Sequence, residues 1–231
     1  MKPISNNQVN KKSQSLYDIS DLGFHYGKYQ ACINAIDQND LRKYNLKYPK
    51  GSDFHLHEEL TPCPFEGDLL KSKIYLLLTN PWISSTSTPA THNLYVEGWS
   101  LANLSKESTS QWYRPRFKTL VDNPESENEW MSLSNKLAMI QAIPWASRNA
   151  RAIRLPSNSL MTDTVKELSR INQDSIFVVM RNKKFWMPAL QDIDQSRVII
   201  NPNPRNSFIT RGNFKNAWEK IKLALASSES N

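Results

Sequence analysis

The sequence predicts an α/β fold of three layers, with helices on both faces of a mostly parallel central sheet, and three observations carry that expectation. Short apolar runs at 74–78, 176–180 and 198–200 lack polar alternation, as strands buried on both faces do. Segments with helical periodicity lie between and after these runs, the succession that builds a parallel sheet. The length of 231 residues gives one domain enough interior for such a core.

Taken in order, residues 1–15 are Asn, Lys, Ser and Gln almost throughout, too polar to bury, and "SSESN" at 227–231 reads likewise. Both are expected to be disordered tails of a single domain over 16–226. Within it, 16–60 mixes aromatic with charged residues and predicts a helical extension, one or two helices around 26–46 ending at the "YPKG" turn. A core over 73–226 follows. "IYLLL" at 74–78 is its first strand, while 137–143 reads either as a further strand or as the end of a helix. "SLMTDTVKELSRINQ" places Met161, Val165, Leu168 and Ile171 on one helical side. "NFKNAWEKIKLALA" closes the chain with Phe214, Ala217, Trp218, Ile221 and Leu225 on one face, behind a polar start at 210–213. In such sheets a site forms at the carboxyl ends of the strands.

The 29 Lys and Arg against 22 Asp and Glu leave a formal charge of +7 and a pI near 9.3, which favours a polyanionic partner such as nucleic acid. Cys32 and Cys63 form no C-x-x-C pair, so neither a disulfide framework nor a zinc ribbon is indicated, and a reducing cytoplasm is the expected setting. No apolar stretch approaches the ~18 residues of a membrane span, and the N-terminus lacks a signal-peptide core. We expect a monomer with no membrane association and no cofactor.

Two short apolar runs end at the same dipeptide, Asn80-Pro81 in "LLLTNPWISS" and Asn201-Pro202 in "VIINPNPRN". Proline removes a ladder donor and pushes the preceding Asn toward extended geometry, so each Asn is set just beyond its strand. Its amide carries two donors and an acceptor suited to orienting water or gripping a base edge. In this order the motifs resemble those of the uracil-DNA glycosylase superfamily, and within it the mismatch-specific uracil and thymine glycosylase branch. That branch has G-x-N-P-G-x-S-S after its first core strand, where this chain reads Leu78-Thr79-Asn80-Pro81-Trp82-Ile83-Ser84-Ser85. The superfamily's second motif, H-P-S-P or N-P-S-G before a wedge residue, is matched by Asn201-Pro202-Asn203-Pro204-Arg205. "SIFVVMRNKKFW" resembles the intervening strand and turn, so the likeness spans residues 73–226.

The resemblance implies a three-layer glycosylase-like fold and a monofunctional enzyme that hydrolyses the N-glycosidic bond of a flipped base, leaving an abasic site. Asn80 is then the water-positioning residue and Asn201 the contact to the developing base anion or sugar. Thr79, Pro81, Trp82 and Ser84 line the base pocket, with Tyr95 stacking on the base and His92 as a candidate pocket acid. Arg205 takes the wedge position, beside Asn203. Leu78 and Trp82 stand where the family has glycines, Asn80 stands where water-activating members have Asp, and the second motif has no His. These departures imply a remodelled pocket, with uracil, mismatched thymine or a bulky hypermodified cytosine of phage DNA as candidate substrates. The last would place the protein in anti-phage defence.

Basic residues interleave with aromatics elsewhere. "QWYRPRFK" at 111–118 brings Arg114 and Arg116, "IPWASRNARAIRLPS" at 143–157 brings Arg148 and Arg151, and "RNKKFW" at 181–186 brings Lys183 and Lys184 to a strand end. All six are candidate DNA contacts. "FHLHEE" sets His55, His57 and Glu59 in line as a possible metal triad, but no other ligand cluster accompanies it and no metal site is expected. Two other functions compete with the glycosylase reading. One is a catalytically silent nucleic-acid-binding module on the same fold. The other is a nucleotide-processing α/β enzyme, which would show a Gly-rich phosphate loop that these six glycines do not form.

Overall fold

The computed structural model describes residues 22–83, 107–149 and 153–226, with the side chains of 107–111 outside that description. Five strands form one sheet: β1 (Phe65–Glu66), β2 (Ile74–Leu78), β3 (Leu137–Gln141), β4 (Ile176–Val179) and β5 (Val198–Ile200). Their order is β1-β3-β2-β4-β5. Strands β2 to β5 are mutually parallel, and β1 pairs antiparallel with the outer side of β3. The helices are α1 (Tyr26–Lys47), α2 (Glu107–Phe117), α3 (Glu127–Lys136), α4 (Ser157–Ile171), α5 (Lys183–Leu190) and α6 (Trp218–Ala226).

Alternation of side chains across the pleat divides the core in two. Tyr75, Leu77, Ala138, Ile140, Phe177 and Val179 join residues of α1, α4 and α5 on one face. Ile74, Leu76, Leu78, Leu137, Met139, Ile176 and Val178 join residues of α2, α3 and α6 on the other. Every residue of β2, β3 and β4 is buried, which is why these strands read as unbroken apolar runs. The chain passes from β2 to β3 on one side, then crosses back to β4 on the other, so the winding reverses between β2 and β4. A crevice opens at such a point, at the carboxyl edge.

Several elements depart from the sequence expectation. Of the two readings of 137–143 the strand is the one observed, since α3 ends at Lys136 and β3 begins at the next residue. The closing helix starts at Trp218 rather than near 213, since the amides of Asn213 and Phe214 both bond to Thr210 O and hold that stretch in a turn. Phe214 and Trp218 still reach the core. "RNKKFW" is the entry to a helix, with Asn182 at φ 55°, ψ 47° making the tight left-handed turn out of β4. Ile171 ends its helix largely exposed. The edge strand β1 is too short to read from periodicity. Gly67 turns the chain out of it at φ 92°, where a Cβ would lie 2.3 Å from Leu137 O, so only glycine fits.

Asp37, fully buried on α1, ties three elements together. It accepts from Trp145 Nε1 at 2.8 Å, from the Ser157 amide at 2.8 Å and from Ser157 Oγ at 2.5 Å. Ser157 opens α4, so the carboxylate caps that helix from another chain segment and meets the positive end of its dipole. Burial raises the Asp37 pKa and these hydrogen bonds oppose the rise. Asp37→Ala would strand three buried donors, and we expect a loss of about 3 kcal/mol in urea denaturation.

Glu66 places its carboxyl in the interior, where Tyr113 Oη donates to Oε2 at 2.6 Å. Burial pushes its pKa up to about 7, against hydrogen bonds from Tyr113 and Cys63 that lower it. The native state therefore binds a proton that the unfolded chain releases near pH 4.5, and stability falls as pH rises from there to about 7. Glu66→Gln keeps an acceptor for Tyr113 and cannot ionise. It should flatten the stability profile over that window and stabilise the protein at pH 8 by about 1–3 kcal/mol, read from melts against pH.

Candidate functional site

The carboxyl edge is built from loops that prolong the sheet. Beyond β2 and β3 the pairing continues, with Ala142 N donating to Leu78 O at 3.2 Å, Ile143 N to Thr79 O at 2.8 Å and Ser147 N to Pro81 O at 3.2 Å. Trp82 and Ser147 form the last parallel bridge. Trp186, buried on α5, also donates its indole N–H to Leu78 O at 2.9 Å. The backbone at the end of the central strand is therefore held from both sides, and Asn80 follows it.

Asn80 Nδ2 donates to Pro81 O at 2.9 Å, to Ser147 Oγ at 2.9 Å and to Ser147 O at 3.2 Å. Two of these acceptors are backbone carbonyls, which cannot donate, so the amide has one permissible orientation. Its nitrogen faces the β3 loop. Its Oδ1 accepts no hydrogen bond among the described residues, and the side chain is only half-buried. Asn80 thus presents one acceptor at the edge of the sheet. Such an oxygen orients a water molecule through its proton but is too weak a base to take that proton.

Asn201 is employed differently. It is buried, its Nδ2 donates to Asn206 O at 2.8 Å and Met180 O at 3.3 Å, and its Oδ1 accepts from Asn203 N at 3.0 Å and Asn213 Nδ2 at 3.4 Å. Asn203 Oδ1 accepts from Arg205 N, and Asn206 Oδ1 from Phe208 N. Each Asn caps the amide two residues ahead, so "NPNPRN" is a series of side-chain turns. The prolines fall at 202 and 204, between the amides these turns require. Both donors and the acceptor of Asn201 are spent on the fold, whereas the sequence reading assigned it a direct contact with the departing base or sugar.

The motif loops follow β2 and β5, with β4 between them, about 10 Å apart at two strand spacings. Around them lie Arg181 after β4, Lys183 and Lys184 on the first turn of α5, and Arg205 after β5, all exposed and without an ion pair among the described residues. Arg116 lies 4.1 Å from the Trp112 ring centre and 5.3 Å from that of Phe208, and donates through Nε to Ser207 Oγ at 2.9 Å. It braces the second-motif loop. Partial burial and then the charge of Arg181 lower its pKa. Phe208, 39% exposed, offers its ring to Arg116, and Trp82, 59% exposed, ends the β2 loop at its bridge to Ser147.

Other candidates are occupied. Arg114 Nη2 donates to both carboxylate oxygens of Glu127, at 2.7 and 3.0 Å, and lies over Trp130, fastening α2 to α3. Arg148 faces Asp53 at 3.7 Å and remains half-exposed beside Ser147. Thr79 and Pro81 serve through their carbonyls. Ser84, His92, Tyr95 and Arg151 lie outside the described residues. Sequence reasoning passed over Ser147, Arg181 and Phe208. Ser147 was visible only as part of a Pro-Trp turn, and its pairing with Asn80 depends on strand register.

No helix among the described residues is long and apolar enough to cross a membrane. The sequence matches no protein-family model and no curated protein. The site is therefore read from its own geometry. Asn201→Ala would leave Met180 O, Asn206 O and Asn203 N without partners, and we expect about 2–3 kcal/mol of destabilisation in chemical denaturation.

Proposed function

We propose that the protein is a monofunctional DNA glycosylase with a uracil-DNA glycosylase-like fold, which flips a pyrimidine nucleotide from the stack and hydrolyses its N-glycosidic bond. The observation that carries this reading is Asn80, just beyond the carboxyl end of β2, whose amide nitrogen is consumed by Ser147 and Pro81 while its oxygen accepts no hydrogen bond among the described residues. Cleavage of the glycosidic bond passes through an electron-poor sugar and an electron-rich base. It calls for a positioned water and for hydrogen bonds or cations where negative charge grows. The oxygen of Asn80 supplies the first. The cationic rim of Arg181, Lys183, Lys184 and Arg205 supports the second and matches a polyphosphate backbone. The two lysines sit on the first turn of α5, where the helix dipole disfavours positive charge. Their position has a use if an anion is bound there.

Asn201 enters this scheme as the residue that shapes the second-motif loop and so sets where Arg205 stands. Arg205 is exposed and free to fill the space a flipped base leaves. The substrate class we favour is a pyrimidine bearing a bulky substituent, such as a hypermodified cytosine of phage DNA, in a defence role. Trp82 supports it, because an exposed indole in place of the family's glycine offers a stacking wall to a large group.

The test is to incubate the purified protein with duplex and single-stranded DNAs carrying uracil, mismatched thymine or substituted cytosines, then cleave abasic sites in hot alkali. One substituted base should be released, and Asn80→Ala should slow its release by about 100-fold or more while DNA affinity stays within a few fold. Tight binding with no abasic sites on any substrate would identify a binding module instead.

A further inference from the structure

Residues 55–59 contain a cluster that the glycosylase reading does not use. One donor atom from each of His55, His57 and Glu59 lies within 4.8 Å of the other two. His55 is 3% exposed. Its Nδ1 lies 2.9 Å from Tyr48 O, and a carbonyl only accepts, so the proton sits on Nδ1. Its Nε2 therefore carries a lone pair, and that atom is buried with no hydrogen-bond partner among the described residues. A buried acceptor without a donor carries a desolvation cost that a bound cation would remove. A ring nitrogen hydrogen-bonded to a carbonyl while the other faces the metal is also the arrangement that orients metal-binding histidines.

The backbone of this segment is held before any ligand arrives. Buried Asn45 on α1 clamps Leu56 with both ends of its amide, Nδ2 to Leu56 O at 2.8 Å and Oδ1 from Leu56 N at 3.0 Å. His57 N donates to Ala146 O at 3.0 Å. An extended segment fixed in this way carries residues 55 and 57 on one side, and Glu59 turns back so that its Oε1 lies 2.8 Å from His57 Nδ1.

We propose that His55, His57 and Glu59 bind a divalent transition-metal ion of the zinc type, with the fourth position open to solvent. Two imidazoles and one carboxylate are a donor set that zinc accepts when it keeps a water ligand. Tetrahedral coordination at about 2.0–2.2 Å sets ligand atoms about 3.4 Å apart, so His57 and Glu59 give up their mutual hydrogen bond on binding, a movement open to the exposed Glu59 and the half-buried His57. Ala146 joins this site to the candidate site, since the next residue, Ser147, holds Asn80. The inference does not depend on the glycosylase reading.

The test uses the full chain without a histidine tag, stripped of metal by a chelator. Zn2+ alone is titrated by calorimetry, and Co2+ alone is followed by visible absorption. One equivalent should bind saturably, Co2+ should develop the intense absorption of a low-coordinate site, and Zn2+ should raise the Tm by several degrees. His57→Ala, at a half-buried side chain, and Glu59→Gln, at an exposed one, should each weaken binding at least tenfold while circular dichroism shows the fold retained. Absence of saturable binding, or unchanged affinity in either variant, would overturn the proposal.

Discussion

A single buried carboxylate governs the architecture around the candidate site. Asp37 sits on the long N-terminal helix, far in sequence from the sheet edge, yet its two oxygens take up the indole of Trp145 and the first donors of α4. A carboxyl group at that depth is tolerable because three donors satisfy its oxygens. The geometry of α1, the β3 loop and α4 is consequently locked together. Two residues beyond Trp145 is Ser147, which receives the Asn80 amide. The position of the candidate water-binding oxygen is thus set by a chain of contacts that begins on a helix outside the span of the glycosylase-like motifs.

The same accounting of donors and acceptors explains the loops at the carboxyl edge. Leu78 O, at the end of the central strand, takes two donors, one from the β3 loop and one from Trp186. The second-motif loop satisfies its amides with Asn side chains spaced to cap them, and prolines remove donors that would otherwise need partners. Both Asn-Pro motifs end a strand, but the two amides differ in what they retain. Asn80 keeps an acceptor, and Asn201 keeps nothing. A like pair of motifs therefore divides into one residue with chemistry to offer and one that builds the frame.

Charge follows a similar division. Arg114 and Arg116 occupy one short stretch of sequence, but one is consumed by Glu127 and the other braces Ser207 and Phe208 between aromatic rings. The cations at the edge without an ion pair among the described residues come from the turn after β4, the first turn of α5 and the loop after β5. Arg181, whose charge is felt by Arg116, belongs to that edge.

The α/β class, three of the four parallel strands, and helices near 26–46 and over 159–171 were legible in the sequence, because burial on two faces, helical periodicity and helix start and stop signals are local patterns; 137–143 read equally as a strand or the end of a helix. The strand-terminating role of both Asn-Pro dipeptides was legible for the same reason, since proline acts on its immediate neighbours. The short edge strand β1, the late start of α6 and the helical entry at Lys183 were not, because each is decided by a few hydrogen bonds or one left-handed residue rather than by a repeating pattern. The partners of the polar side chains were beyond the sequence altogether. Asn80 meets Ser147 across 67 residues and Trp145 meets Asp37 across 108. Such pairings arise from strand register and helix packing, and only the tertiary structure decides which polar atoms are spent on the fold and which remain for a ligand.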